Sequence, residues 1–91
     1  MTDSSDAVRC WLVERTFDDR NLVTLVYAMS NGERYQRRER SATALRRGPP
    51  VPAAKRIDAS ELAPVPDEDT RERYAEEASR VADEYAPDDQ S

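Results

Sequence analysis

Cys10-Trp-Leu-Val-Glu-Arg-Thr-Phe17, Leu22-Val-Thr-Leu-Val-Tyr-Ala-Met29 and Arg34-Tyr-Gln-Arg-Arg-Glu-Arg40 decide the fold. The first two runs are rich in β-branched and aromatic residues, which fit a pleated, packed surface. The third is almost wholly charged. Asp18-Asp-Arg-Asn21 has turn chemistry between the first two. Asn31-Gly32 lies between the second and third and is a strong hairpin signal, because a type I′ turn needs positive φ at both central positions. The pattern predicts an antiparallel meander with strands over Val8 to Phe17, Leu22 to Ser30 and Glu33 to Arg40.

Downstream, Ser41 is placed to cap a short helix over Ala42 to Arg47, with Ala42 and Leu45 facing inward and Gly48 as its C′ residue. Pro49-Pro-Val-Pro52 cannot extend that helix or donate to a central strand, so it reads as an extended connector. Ala53 to Ile57 has the length for a brief fourth edge strand. Asp58-Ala-Ser-Glu61 resembles a capping box on a single turn, after which Leu62 and Val65 tuck into the core. A last helix is expected from Asp67 to Tyr85, with Asp69 and Glu72 as a further capping box. Its apolar stripe is Tyr74, Ala78, Val81, Ala82 and Tyr85, and Pro87 ends it.

The expected architecture is therefore a small α+β domain. A three-stranded antiparallel β-meander packs on a C-terminal α-helix, with a short helix and Pro-rich connector after strand three. Residues 8–86 form the domain. Residues 1–7 and 87–91 are expected to be disordered ends.

Register decides which side chains share a face. A four-residue first loop puts Trp11, Val13, Phe17, Leu22, Val26, Ala28 and Tyr35 together, with Arg15 and Arg37 among them. Cys10, Leu12, Val23, Leu25, Tyr27 and Met29 then lie opposite, with Arg34, Arg38 and Arg40. A loop of odd length instead gathers Trp11, Val13 and Phe17 with Val23, Leu25, Tyr27 and Met29. In either register both faces are apolar. One helix covers one face. Unless the connector covers the other, an apolar patch of the size that marks partner sites stays wet.

The chain has 91 residues and a formal net charge of −5, with thirteen Arg against a single Lys, Lys55. A chain of this size builds only a modest core. Cys10 is the only cysteine, so no disulfide forms within the monomer, and it reads as a small half-buried hydrophobe. The polar, acidic N-terminus has no signal-peptide pattern, and no apolar run approaches membrane-spanning length. A soluble, cytoplasmic protein with no membrane partner is expected. An acidic surface nearly free of Lys suits a salt-rich cytoplasm, and a GC-rich genome would also favour Arg.

Charge is unevenly distributed. Residues 33–56 carry two acids and eight bases, while residues 57–91 carry twelve acids and three bases. Such a basic middle can bind anions, or the acidic helix can lie beside it and neutralise it; the neutralising arrangement is preferred.

Catalytic chemistry is sparse. There is no histidine, which removes the commonest general base and metal ligand together. Two glycines, Gly32 and Gly48, provide no phosphate-cradling loop. An enzyme is not expected, nor any cofactor or metal. Trp11, Phe17 and Tyr35 are the candidate partner-binding residues. Arg34, Arg37, Arg38 and Arg40 are the candidate anion or nucleic-acid contacts, since arginines beside exposed aromatics on a sheet are how several RNA-binding modules work. A charged third strand also protects an exposed sheet edge, and this reading is preferred.

Three stretches, Trp11-Leu-Val-Glu-Arg-Thr-Phe-Asp-Asp19, Asn31-Gly-Glu-Arg-Tyr-Gln-Arg-Arg-Glu-Arg40 and Thr70-Arg-Glu-Arg-Tyr-Ala-Glu-Glu-Ala78, resemble short acidic haloarchaeal proteins that are uncharacterised. The resemblance spans about Val8 to Asp89. It implies salt adaptation and brings no catalytic or binding residue with it. The leading expectation is a small non-enzymatic interaction module that binds itself, as a homodimer, or another protein through its sheet. Nucleic-acid binding by the arginine strand is the alternative.

Overall fold

The computed structural model describes residues 7–48 and 51–85. The elements are β1 (Ala7–Phe17), β2 (Leu22–Met29), β3 (Arg34–Ser41), α1 (Ala42–Arg47), β4 (Ala54–Asp58), β5 (Ala63–Pro64) and α2 (Glu68–Glu84), with a 3-10 turn at Ala59–Glu61. The architecture is α+β. The sheet has five strands rather than three, all antiparallel, in the order β4-β1-β2-β3-β5.

Of the two further strands, β4 falls where Ala53 to Ile57 reads as a brief fourth edge strand, and only β5 is new. β4 pairs along β1 from Ala7↔Asp58 to Trp11↔Ala54. β5 is a two-residue pairing of Pro64 and Ala63 with Arg34 and Tyr35, extended by a Val65 N–H bond to Glu33 O at 2.9 Å. Short edge pieces of this kind leave little backbone open to a foreign strand. The expected ends before Ala7 and after Tyr85, the stop at Pro87 and the Pro49-Pro50 pair lie outside the described residues.

The register of β1 on β2 combines the two alternatives. Cys10, Trp11 and Leu12 oppose Met29, Ala28 and Tyr27, as a four-residue loop requires. Nearer the loop, Phe17 opposes Val23 and Arg15 opposes Leu25, as an odd loop requires. A β-bulge between Leu12 and Glu14 absorbs the difference. The loop itself is held by Asp18, whose carboxylate accepts from Arg20 N–H at 2.8 Å, and by Asn21 in left-handed backbone at φ 66.

The β2–β3 turn keeps its expected register but not its expected type. Gly32 N–H bonds to Met29 O at 2.8 Å, and only Gly32 has positive φ, at 74. Asn31 stays in ordinary backbone. The result is a type I turn followed by a left-handed glycine rather than type I′. Gly32 is also required for another reason: a Cβ there would run into Arg71 O on α2.

α1 has the predicted bounds, and Ser41 caps it by accepting from Ala44 N–H at 3.0 Å. Gly48 sits at φ −87, so the left-handed C′ conformation is not used. α2 starts one residue after its cap, Asp67, which accepts from Thr70 N–H at 2.9 Å and from its hydroxyl at 2.8 Å. The cap is therefore Asp67 with Thr70, not Asp69 with Glu72. Tyr74, Ala78 and Val81 are buried as a stripe, whereas Ala82 is exposed.

Both faces of the sheet are covered. On one, Val13, Val26 and Ala28 pack under α2 with Val65, Tyr74 and Ala78, and Trp11 and Tyr35 join them half-buried. On the other, Cys10, Leu12, Val23, Leu25, Tyr27 and Ile57 are covered by Leu62, Ala42, Leu45 and Val51. The expected open apolar face is thus covered by residues between β3 and α2, with Phe17 left exposed at its edge. Among the described residues, no helix is long and apolar enough to cross a membrane.

Candidate functional site

Alternation along β3 divides the arginines. Arg37 opposes Val26 and lies on the α2 face, where it meets Glu39 at 3.5 Å. Arg38 and Arg40 oppose Leu25 and Val23 on the connector face. Arg34 lies at the β5 end, opposite Pro64. The four candidate anion contacts therefore do not form one stripe. Among the described residues, none of them pairs with α2: Arg38 reaches Glu61 at 3.8 Å, and α2 instead sends Arg73 to Glu14 at 3.5 Å. The acidic helix does not neutralise the arginine strand, because it packs on the face that Arg38 and Arg40 point away from.

Arg38 and Arg40 line a hollow of about 180 Å³ with Lys55 from β4. Its apolar lining includes Leu25, Tyr27, Leu45 and Val51. The Lys55 ammonium stands 4.7 Å from the centre of the Tyr27 ring, a cation–π arrangement. Burial lowers its pKa, and repulsion from Arg38 and Arg40 lowers it further. The Tyr27 hydroxyl donates to Pro52 O at 2.7 Å, tying the connector to β2, and burial pushes its pKa up to about 12. Beside Arg38, Gln36 Nε2 donates to Glu61 at 3.2 Å, while Gln36 Oε1 is buried without a hydrogen-bond partner.

A groove of about 460 Å³ adjoins this hollow and shares Leu45 and Val51 with it. Phe17, Val23 and Ala42 complete its apolar part, and Arg15 and Arg46 also line it. Phe17 is the one large hydrophobic side chain left exposed among the described residues, at 67%. Trp11 and Tyr35 lie elsewhere, on the α2 face, where the Tyr35 ring packs on Tyr74 at 6.2 Å. The bulge in β1 places Phe17 on the opposite face from them, so the three aromatic candidates do not share a surface.

Lys55 received no role from the sequence. Its signal was present: once Ala53 to Ile57 is read as a strand antiparallel to β1, Lys55 falls opposite Cys10 and so on the face of Arg38 and Arg40. Cys10 itself is fully buried, and burial pushes its thiol pKa up to about 11. Among the described residues, no three His, Cys, Asp or Glu side chains are placed to hold a metal ion.

These features define a small α+β domain with one cationic, partly open sheet face and one face closed by a helix. The chain belongs to a family of unknown function, DUF7967, whose model matches residues 4–91. No curated protein and no solved structure matches it.

Proposed function

We propose that this protein is a non-enzymatic interaction module that takes an acidic segment of another protein into the groove beside Phe17. The observation that carries this reading is Phe17 itself: a large ring left 67% exposed next to an apolar groove. Burying a phenylalanine side chain is worth roughly 1.5–3 kcal/mol, so leaving one wet at a groove suits a docking anchor. The partner is acidic because Arg46 flanks the groove and Arg38, Arg40 and Lys55 continue it. A second copy would bring its acidic α2, but that pairing would join two different surfaces rather than one self-complementary patch. The acidic, lysine-poor composition supports a haloarchaeal, salt-rich cytoplasm as the setting. An apolar anchor suits it, because at about 1 M salt charges are screened beyond roughly 3 Å.

Titration with a synthetic peptide alternating Asp and Leu, in low and multi-molar KCl, tests the reading. Binding should persist at high salt, and Phe17→Ser should weaken it about tenfold without loss of fold. Equal affinity of the variant and the native protein would sink it, and sedimentation as a salt-stable dimer would transfer the surface to self-association. A second reading, nucleic-acid binding, is favoured by the same ring lining a groove with Arg15 and Arg46, since bases stack on such rings. Binding to single-stranded RNA that collapses as salt rises, and that needs Arg38 and Arg40, would select it.

A further inference from the structure

We propose that Arg38, Arg40 and Lys55 form a binding site for the dianion of a small organic phosphate monoester, whose apolar part rests on Leu25, Tyr27 and Val51. This goes beyond the docking groove, which adjoins the hollow but uses Phe17.

Two strands that do not neighbour each other, β3 and β4, bring these three cations to one hollow. The cations are under-compensated. Glu61 reaches Arg38 at 3.8 Å, and Arg40 and Lys55 make no ion pair among the described residues. On α2, by contrast, Arg80 lies 2.6 Å from Glu77 and 3.4 Å from Glu84, and Arg73 meets Glu14. Like charges gathered over apolar side chains cost stability unless something between them carries the opposite sign. An anion seated there turns that repulsion into attraction.

Charge and size select the ligand. Three cations against one carboxylate leave two positive charges, which a phosphate dianion meets and a single carboxylate does not. Arginine also offers paired N–H donors that match phosphate oxygens. A hollow of about 180 Å³ is below the usual 300–1,000 Å³ of drug-sized pockets, so it admits a phosphate with a short chain or one ring. A polymer backbone running along β3 needs a continuous cationic track, and alternation sends Arg37 to the opposite face. The aliphatic and aromatic floor favours a monoester over inorganic phosphate.

The experiment is an NMR titration of the full chain at the lowest salt that keeps it folded, with phenyl phosphate, inorganic phosphate, benzoate and a single-stranded oligonucleotide as probes. Phenyl phosphate should shift the amides of Leu45, Val51 and Lys55 saturably, with a Kd of about 1 mM or tighter. It should bind about threefold tighter than inorganic phosphate and about tenfold tighter than benzoate. Arg40→Gln and Lys55→Gln should each weaken it at least about fivefold, Arg40→Lys less, and Arg37→Gln by under about twofold. Arg40 and Arg37 are exposed, so their variants keep the fold, and the amide spectrum of Lys55→Gln, whose side chain is half-buried, must stay dispersed for its weakening to count. No saturation by about 50 mM phenyl phosphate overturns the proposal. So does equal weakening by Arg37→Gln, or an oligonucleotide that binds tighter than phenyl phosphate and also shifts Arg34 and Arg37.

Discussion

The α2 face and the connector face cover similar hydrophobic strands by different means. On the first, one regular helix supplies Tyr74, Ala78 and Val81 at helical spacing, and a continuous stripe meets the sheet. On the second, Ala42, Leu45, Val51 and Leu62 arrive from several separate pieces of chain. Hollows remain on both sides, but they differ in charge. The one beside α2 holds Glu14 and Asp67 with Arg37 and Arg73, and Glu14 meets Arg73 at 3.5 Å. The one beneath the connector is lined by Arg38, Arg40 and Lys55, with a single carboxylate, Glu61, reaching Arg38 at 3.8 Å from outside the lining. A helix brings its own complementary charges to the face it covers. An irregular cover brings mainly apolar plugs, and the strand cations beneath it stay available.

If the helix is the main clamp, cutting its contact should cost far more than cutting a connector plug. Tyr74→Ala removes a buried ring packed on Tyr35 and should lower stability by about 3 kcal/mol. Leu45→Ala removes a half-buried plug and should cost about 1 kcal/mol. Urea unfolding of both variants checks the ratio. Equal losses would mean that the connector bears as much of the fold as α2, and the contrast would fail.

The next effect is at the turn. Gly32 has φ 74 and lies against the Arg71 carbonyl, so Gly32→Ala both strains the turn and pushes α2 off the sheet. A loss of about 2 kcal/mol is expected, with near-ultraviolet change at Tyr74. Asn31→Ala should cost much less, since Asn31 does not use left-handed backbone and its side chain offers one bond, to Glu33 N–H at 3.0 Å.

This position also marks what the sequence could convey. Asn31-Gly32 announced a hairpin and its register, because loop length and alternation are local. It could not announce that the glycine is needed for the approach of Arg71 on α2. The meander, α1 with its Ser41 cap, and the Tyr74, Ala78 and Val81 stripe were legible for the same local reason. The bulge at Leu12 to Glu14 was not, since it reconciles a loop at one end of β1 with pairing at the other. Missing it misplaced Phe17 relative to Trp11 and Tyr35. The cationic hollow was half legible. Arg38 and Arg40 share strand parity, but Lys55 joins them only through β4, a strand made by tertiary pairing of a proline-flanked segment.

The smallest effect separates the faces by titration. Cys10 and Tyr27 both lie under the connector, and burial raises the thiol from 9.0 to about 11 and the phenol from 10.0 to about 12. A group whose folded pKa exceeds its unfolded value holds its proton in the folded state after the unfolded chain has lost it. Each further unit of pH then favours unfolding. These two groups contribute no pH dependence below pH 9.0 and erode stability from there to about 12. Lys55 acts the other way below 10.5, because its folded pKa is lowered, and burial on the helix face adds Tyr74 to the eroding side. Cys10→Ala isolates one contribution: stability falls less steeply with pH between 9.0 and about 11, whatever the variant costs at neutral pH. A thiol reagent should likewise label Cys10 at the rate of unfolding. An unchanged slope together with fast labelling would mean that the connector opens over β1 in the folded state, and that the second face is covered only part of the time.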